Sequence, residues 1–362
     1  MSAFASPRRA GILPPYLLEH VAQAAPAHAR QCAVLSRQIT AQLRQQRALG
    51  LLARTDAPAA EAQATQAART AVQRRIYDAQ HGTTLPGTTL PGTLVRDEGA
   101  AATRDVAVTD AYDYLGATHA FFQGVYGRNL IDAKGMPLIG SVHYERGDDN
   151  AFWNGEQMVF GDGDGEVFNR FTIAIDVVGH ELTHRVTERT TNLIYQRQSG
   201  ASNEAVSDVF GLLIKQYTLR QSAEQAHWII GAGLLMPGIN GVGLRSMQAP
   251  GSASDDPARG KDPQPATMTC YVDTHKDDGG VHYTSGIPNH AFYRAAVAIG
   301  GAAWEKAGRI WYRALTGGEL AASVDVATFA ALTVNVASAD DGANSSETAA
   351  VQQAWRDVDV LA

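Results

Sequence analysis

The sequence is nearly without cysteine: Cys32 and Cys270 are the only two in 362 residues, and they lie far apart. A disulfide framework is therefore excluded, and both are expected to be ordinary buried or partly buried thiols. Nothing approaches the roughly 18 unbroken apolar residues that a membrane-spanning helix needs. A signal-peptide core is missing too. Arg8 and Arg9 are present, but Ile12-Leu13 is broken at once by Pro14-Pro15. The chain is expected to stay in the cytoplasm, or to leave without a classical signal peptide. Excess positive charge is also lacking. A net charge of −7 and a pI near 5.9 argue against nucleic acid or an anionic membrane as a main partner. What remains is 45% hydrophobic residues, enough for two modest domains with cores.

The chain is organised around His180-Glu181-Leu182-Thr183-His184, inside a run from Ile173 that has no proline and a helix-like apolar pattern. Four residues apart on a helix, His180 and His184 point the same way, one turn from each other. Two imidazoles so placed suit one zinc ion. Glu181 follows the first of them, where its carboxylate stands beside a metal without ligating it. A base there takes a proton from water that the metal has acidified.

A catalytic zinc site needs a third protein ligand and a position left for water. Asn203-Glu204-Ala205-Val206-Ser207-Asp208 supplies it. Glu204 is the candidate third ligand, on a second helix expected from Glu204 to about Leu219. Asp208, one turn on, is placed to accept a hydrogen bond from a ligating imidazole and fix its tautomer, and Asn203 stands beside the pair.

Further motifs follow in order: Asn150 to Gly155 (NAFWNG), Gly161 to Gly165 (GDGDG), Leu244-Arg245-Ser246-Met247, and Gly279-Gly280-Val281-His282 before Ser285-Gly286-Ile287-Pro288-Asn289. Together with HELTH and the Asn203 to Asp208 run, they resemble the thermolysin family of metallopeptidases from about Tyr77 to the C-terminus. The short N-terminal segment resembles the family's short-propeptide members. The resemblance implies an α+β, two-domain bacterial-type peptidase. It would have a mixed β-sheet/helix domain, a mainly helical domain, a zinc cleft between them and a small helical propeptide in front. The expected boundaries are 1–65 for propeptide and linker, 66–192 for the first subdomain with the HELTH helix, and 193–362 for the second.

The resemblance also implies roles. Tyr195 and His282 fall on the positions that stabilise the oxyanion of peptide hydrolysis, where donors must sit as charge develops. Asp277 is the natural partner to orient and charge His282, and Gly279-Gly280 lets the backbone bring that histidine close. Asn150 and Ala151 would pair with substrate backbone as in strand addition. Arg245 would hydrogen-bond a substrate carbonyl on the leaving-group side. Phe168, Phe171, Val177 and Leu244 would line the pocket just after the scissile bond, favouring bulky apolar residues there. The function implied is a zinc-dependent endopeptidase made as a self-processing precursor. Glu181 would activate the attacking water and then deliver the proton to the leaving amine. The alternative is a non-catalytic, zinc-containing peptide-binding protein; an intact Glu181 and His282 speak against it.

Residues 1–65 are rich in Ala, Gln and Arg and contain no Trp. Tyr16 to Val21 and Cys32 to Leu52 read as short amphipathic helices joined near Pro26. Asp56 to Thr70 reads as a linker. Pro14-Pro15-Tyr16-Leu17-Leu18 is the mark by which the resemblance implies an inhibitory propeptide, acting on its own chain. The repeat Thr83-Thr84-Leu85-Pro86-Gly87, Thr88-Thr89-Leu90-Pro91-Gly92 reads as a duplicated surface turn. Val108 to Tyr126 reads as a packed helix, Leu138 to Tyr144 and Glu156 to Phe160 as strands, and Asn150 to Gly155 as an edge strand between them. GDGDG lacks the EF-hand spacing and reads as a turn. Helices are also expected at Ala226 to Leu235, Ile287 to Ala298, Ala302 to Leu315, Val326 to Val336 and Ser346 to Trp355, with a long loop from Pro237 to Pro265.

In one respect the chain departs from the resemblance. Larger relatives hold a double calcium site using an Asp at the place of Asp176 and a Glu at the place of Lys215. The following loop, Gln221 to Gln225, has one acid, too few for a calcium cage. The expectation is no double calcium site, with the Lys215 ammonium in the ion's place and paired with Asp176.

Overall fold

A computed structural model describes residues 11–48, 72–82, 92–129 and 135–362, with side chains of 43–48 left aside. The expected linker and the repeated turn, apart from Gly92, lie outside these residues. By its internal contacts the chain forms two compact units. One holds residues 1–182 with 233–238, the other 183–232 with 239–362. The division falls within a single helix, α4.

The first unit opens with helices α1 (Pro15–Ala24) and α2 (Ala27–Ala48), packed as a hairpin. Pro15 starts α1, where a missing N–H costs nothing. Strands β1 (Arg74–Asp78) and β2 (Thr93–Asp97) come next, then α3 (Val106–Tyr126), β3 (Leu138–Val142), β4 (Ala151–Trp153) and β5 (Met158–Phe160). The sheet order is β2-β1-β3-β5-β4, parallel across β1-β3 and β3-β5 and antiparallel at both ends. Asp105 starts α3 by accepting from Ala107 N at 2.8 Å, and the helix lies on β1 and β3 with Leu115, Phe121 and Phe122 buried. Strands β1 and β2 were not expected. The middle of Arg74-Arg75-Ile76-Tyr77-Asp78 has little apolar alternation, and only Ile76 is buried. Strand β4 is an edge, as its sequence suggests. In the GDGDG turn, Asp164 Oδ1 accepts from the N–H groups of Glu166, Val167 and Phe168.

Helix α4 (Ile175–Arg189) carries HELTH, and α5 (Arg197–Leu219) is buried along nearly its whole length. Around α5 the second unit sets α6 (Asp277–Thr284), α7 (Gly286–Ile299), α8 (Ala307–Thr316) and α9 (Val326–Asp341), with α10 (Ser346–Asp357) packed on α7 and α9. Its core includes Phe292 against Trp311 at 5.0 Å and Trp311 stacked on Trp355 at 6.0 Å between ring centroids.

Two expectations fail here. Ala226 to Leu235 is not helical. Gly231 and Gly233 take positive φ, which a right-handed helix excludes, and strand β6 (Ile229–Ile230) pairs with β7 (Arg245–Ser246). The apolar run that suggested a helix is buried by strand pairing instead. The stretch Pro237 to Pro265 is also more than a loop. It holds β7 and the pair β8 (Asp255–Asp256) and β9 (Gly260–Lys261). Helix α8 begins at Ala307 rather than Ala302, after a turn in which Glu305 N reaches Ala302 O.

Candidate metal centre and active site

His180 and His184 sit one turn apart on α4, and Glu204 projects from α5. Their ligand atoms all lie within 4.8 Å of one another, and all three residues are buried. Two imidazoles and a carboxylate are the donor set that suits zinc. His184 Nδ1 faces Asn203 Oδ1 at 2.8 Å and Ser207 Oγ at 2.9 Å, which leaves Nε2 for a metal. Sequence reasoning named Asn203 and missed Ser207, although its place one turn after Glu204 on the same helix was the available signal.

Tyr195 precedes α5, and its hydroxyl donates to Glu204 Oε1. It also stands 3.3 Å from His282 Nε2, and that nitrogen is 3.4 Å from Glu204 Oε2. His282 is fully buried on α6. Asp277 holds it twice, accepting from its backbone N and facing Nδ1, both at 2.8 Å. The backbone achieves this with four successive left-handed residues, Asp277, Asp278, Gly279 and Gly280, at φ of 53, 52, 86 and 82°. Two of the four are glycines, for which that conformation is free of Cβ strain. Burial alone would push the His282 imidazole down, but the charges of Asp277 and Glu204 prevail and hold it above its ordinary value. Gln264, which the sequence did not single out, donates to the His282 carbonyl at 2.7 Å and to Ser285 Oγ at 3.1 Å.

Arg245, expected on a loop, lies on β7 and is 1% exposed. Its guanidinium forks onto Asp208, at 2.9 and 2.7 Å, and Asn289 Nδ2 donates to the same carboxylate at 2.8 Å. Leu244, next to it, is buried.

In the first unit, Glu181 is 3% exposed and its Oε2 accepts from Trp153 N of edge strand β4 at 3.3 Å. Phe168, Phe171 and Val177 are fully buried, with the two rings 6.0 Å apart. On β4, the N-terminal segment lies where an added strand would. Ile12 N donates to Ala151 O at 3.0 Å, and Leu13 N to Asn150 Oδ1 at 3.2 Å. Ile12, Leu13, Leu17 and Leu18 are all buried.

Two family models match the chain. Residues 50–188 fit the thermolysin metallopeptidase catalytic domain, and residues 191–360 its alpha-helical domain. The chain belongs to the thermolysin family. An "Extracellular metalloprotease" of Pectobacterium carotovorum subsp. carotovorum is 55% identical over 79% of this chain and 81% of its own. "Protease PrtS" of a Photorhabdus strain is 50% identical over 80% and 76% respectively. The solved precursor of protealysin, a metalloproteinase from Serratia proteamaculans, superposes with a TM-score of 0.84 at 51% identity. That match covers 97% of this chain and 99% of the other.

As a thermolysin-family member the chain is a metalloendopeptidase with the family's catalytic and helical domains. The family is zinc-dependent, and the His180, His184 and Glu204 cluster fits that ion. The match to a precursor extends over the N-terminal helices as well. Among the described residues, no helix is long and apolar enough to cross a membrane.

Proposed function

We propose that this chain is the precursor of a zinc endopeptidase that cuts before bulky apolar residues and removes its own N-terminal segment. The observation that carries the reading is the gathering of His180, His184 and Glu204 ligand atoms within 4.8 Å, with Glu181 next to the first. Zinc bound there supplies a Lewis acid that acidifies water and polarises a carbonyl. Glu181 takes the proton of the attacking water and returns it to the leaving amine nitrogen. Its bond from Trp153 N supports this role by fixing the carboxylate. Tyr195 Oη and His282 Nε2 donate to the oxyanion, and Asp277 keeps the imidazole oriented and charged. Asn203, with Ser207, fixes the His184 tautomer, and Asp208 does the same for a ligating imidazole. Asp208 also holds the Arg245 fork that serves a substrate carbonyl. Substrate lies along β4 on Asn150 and Ala151. Phe168, Phe171, Val177 and Leu244 set the apolar preference after the cut.

Residues 1–65 act as an inhibitor in the same chain. The hydrogen bonds of Ile12 and Leu13 to Ala151 and Asn150 support this, because they occupy the strand edge that substrate needs. The relatives named extracellular support export of this chain. Lys215, half-buried on α5, stands where larger relatives place a calcium ligand, and no double calcium site forms. The test is a casein digest with the N-terminus mapped by mass spectrometry. Processed protein should cleave before Leu, Ile or Phe and stop when a chelator strips the metal. Activity that survives full metal removal would end the zinc reading. An active chain of full length would end the inhibitor reading.

A further inference from the structure

Beneath α2 lies a group of carboxyls that peptide hydrolysis does not use. Asp148 and Asp149 are fully buried in the loop that leads into β4. Ser36 of α2 binds both, donating to Asp148 Oδ1 at 2.8 Å and accepting from Asp149 N at 2.7 Å. Asp148 Oδ2 is buried without a hydrogen-bond partner, and the buried Asp149 carboxyl faces the backbone and carboxyl of Asp164. The groups around them are acidic or neutral. From α2 come Ser36 and Cys32, whose thiol burial and the nearby Asp149 push up to about 11. The turn 161–166 brings Asp164 and Glu166, and the loop itself adds Tyr144 and Glu145. His28 lies 3.7 Å from the Cys32 thiol and is exposed, as are Arg30, Arg37 and Arg146. Glu166 Oε2 accepts from Ala29 N at the start of α2, a place that favours its negative charge.

A buried carboxylate without a cation or donors is expensive, and the usual escape is to stay protonated. Burial raises Asp148 from its ordinary value to about 7, against the Ser36 bond and with the Glu145 charge helping. Asp149 is pushed well above its ordinary value by burial and then by the charges of Asp164 and Asp148. When α2 leaves, water reaches the face that Ser36 covered and the acids can ionise.

We propose that the Asp148-Asp149 loop is a proton-gated dock for the α1–α2 segment, which binds the carboxyls in their neutral form and loosens as they ionise. The linkage has a definite sign. The acids have higher pKa values when docked than when free, so docking takes up protons. Its contribution is complete below about 4, the free carboxylate value, and is lost as pH rises through about 7 for Asp148, with Asp149 shifted in the same direction. An acidic setting keeps the segment down and a neutral one lets it go. The regulatory meaning rests on reading residues 1–65 as the inhibitor; the docking equilibrium does not.

Amide hydrogen exchange of α2 in the full-length Glu181→Ala chain reads the equilibrium directly and involves no peptidase activity. With α10 as an internal reference, the α2 protection factor should fall by more than tenfold and up to about a hundredfold for each pH unit from about 5 towards 7, the slope of up to two protons. In Asp148→Asn/Asp149→Asn, where amides stand for the neutral acids, that slope should vanish, with high protection kept at pH 7. Protection of α2 in the parent chain that is flat or rises over this range would overturn the proposal whether or not the double variant folds. A folded double variant that keeps the parent slope would overturn it too.

Discussion

At the scale of single residues, the arrangement depends on groups that hold other groups. Tyr195 Oη and His282 Nε2 stand 3.3 Å apart beside Glu204, two donors aimed at one small volume. Tyr195→Phe removes one of them and should lower kcat on a peptide substrate about 100-fold with little change in KM. An unchanged kcat would remove Tyr195 from the proposed chemistry. A different histidine, His143, supports the fold. It has φ of 54° and lies between Asp162, 2.9 Å from Nδ1, and Asp105, 2.8 Å from Nε2. The Asp162 bond first, and the Asp105 bond with it, outweigh burial and hold the imidazole up to about 9. Its folded value is raised, so its stabilisation is complete below about 6.5, the free value. It is lost as pH climbs through about 9. His143→Gln should melt a few degrees lower at pH 7, roughly the effect of 1 kcal/mol, and match the parent above pH 10. A gap that stays constant across that range would contradict the charged-imidazole account. His180 and His184 were legible because helical spacing sets their geometry without knowledge of the fold, and Glu204 because it pairs with Asp208 at the same spacing on a second helix. Gln264 and Asn289 were not, since each matters through a partner distant in sequence, and Ser207 had only its place one turn after Glu204 to point to it.

At the scale of elements, helices with strong periodicity and clear ends were readable: α1, α3, α7, α9 and α10 lie close to where their sequences put them. What the sequence concealed was pairing. The stretch Ala226 to Leu235 looks helical by its apolar content, but it is fixed by partners on β7 and by positive φ at two glycines. Strands β1 and β2 lack a full apolar alternation and gain their place from the register with β3 and with each other. Edge strand β4 was readable, because a short aromatic stretch between polar turns has few other uses. The junction of α5, β7 and α7 rests on Asp208, whose carboxylate takes the Arg245 fork and Asn289. Asp208→Ala leaves a buried guanidinium uncompensated and should cost about 3–5 kcal/mol in denaturant unfolding. A loss below about 1 kcal/mol, the scale of an exposed pair, would mean that solvent already screens this site.

At the scale of the whole molecule, the proposal is of a peptidase that carries its own covering segment and has a lysine where a calcium ligand would stand. Lys215 implies that millimolar calcium barely moves the melting temperature, whereas a cage of the size seen in larger relatives would raise it by many degrees. Differential scanning with and without calcium decides this, and a calcium-dependent rise of many degrees would contradict the substitution argument. The central claim is that Glu181 performs proton transfer at a zinc site it does not itself hold. Zinc content and casein hydrolysis, measured on the same preparations of wild type and Glu181→Ala, test it most directly. The account predicts one zinc per chain in both proteins, with hydrolysis in wild type alone. Zinc missing from freshly purified wild type, or casein cleaved by Glu181→Ala, would contradict it.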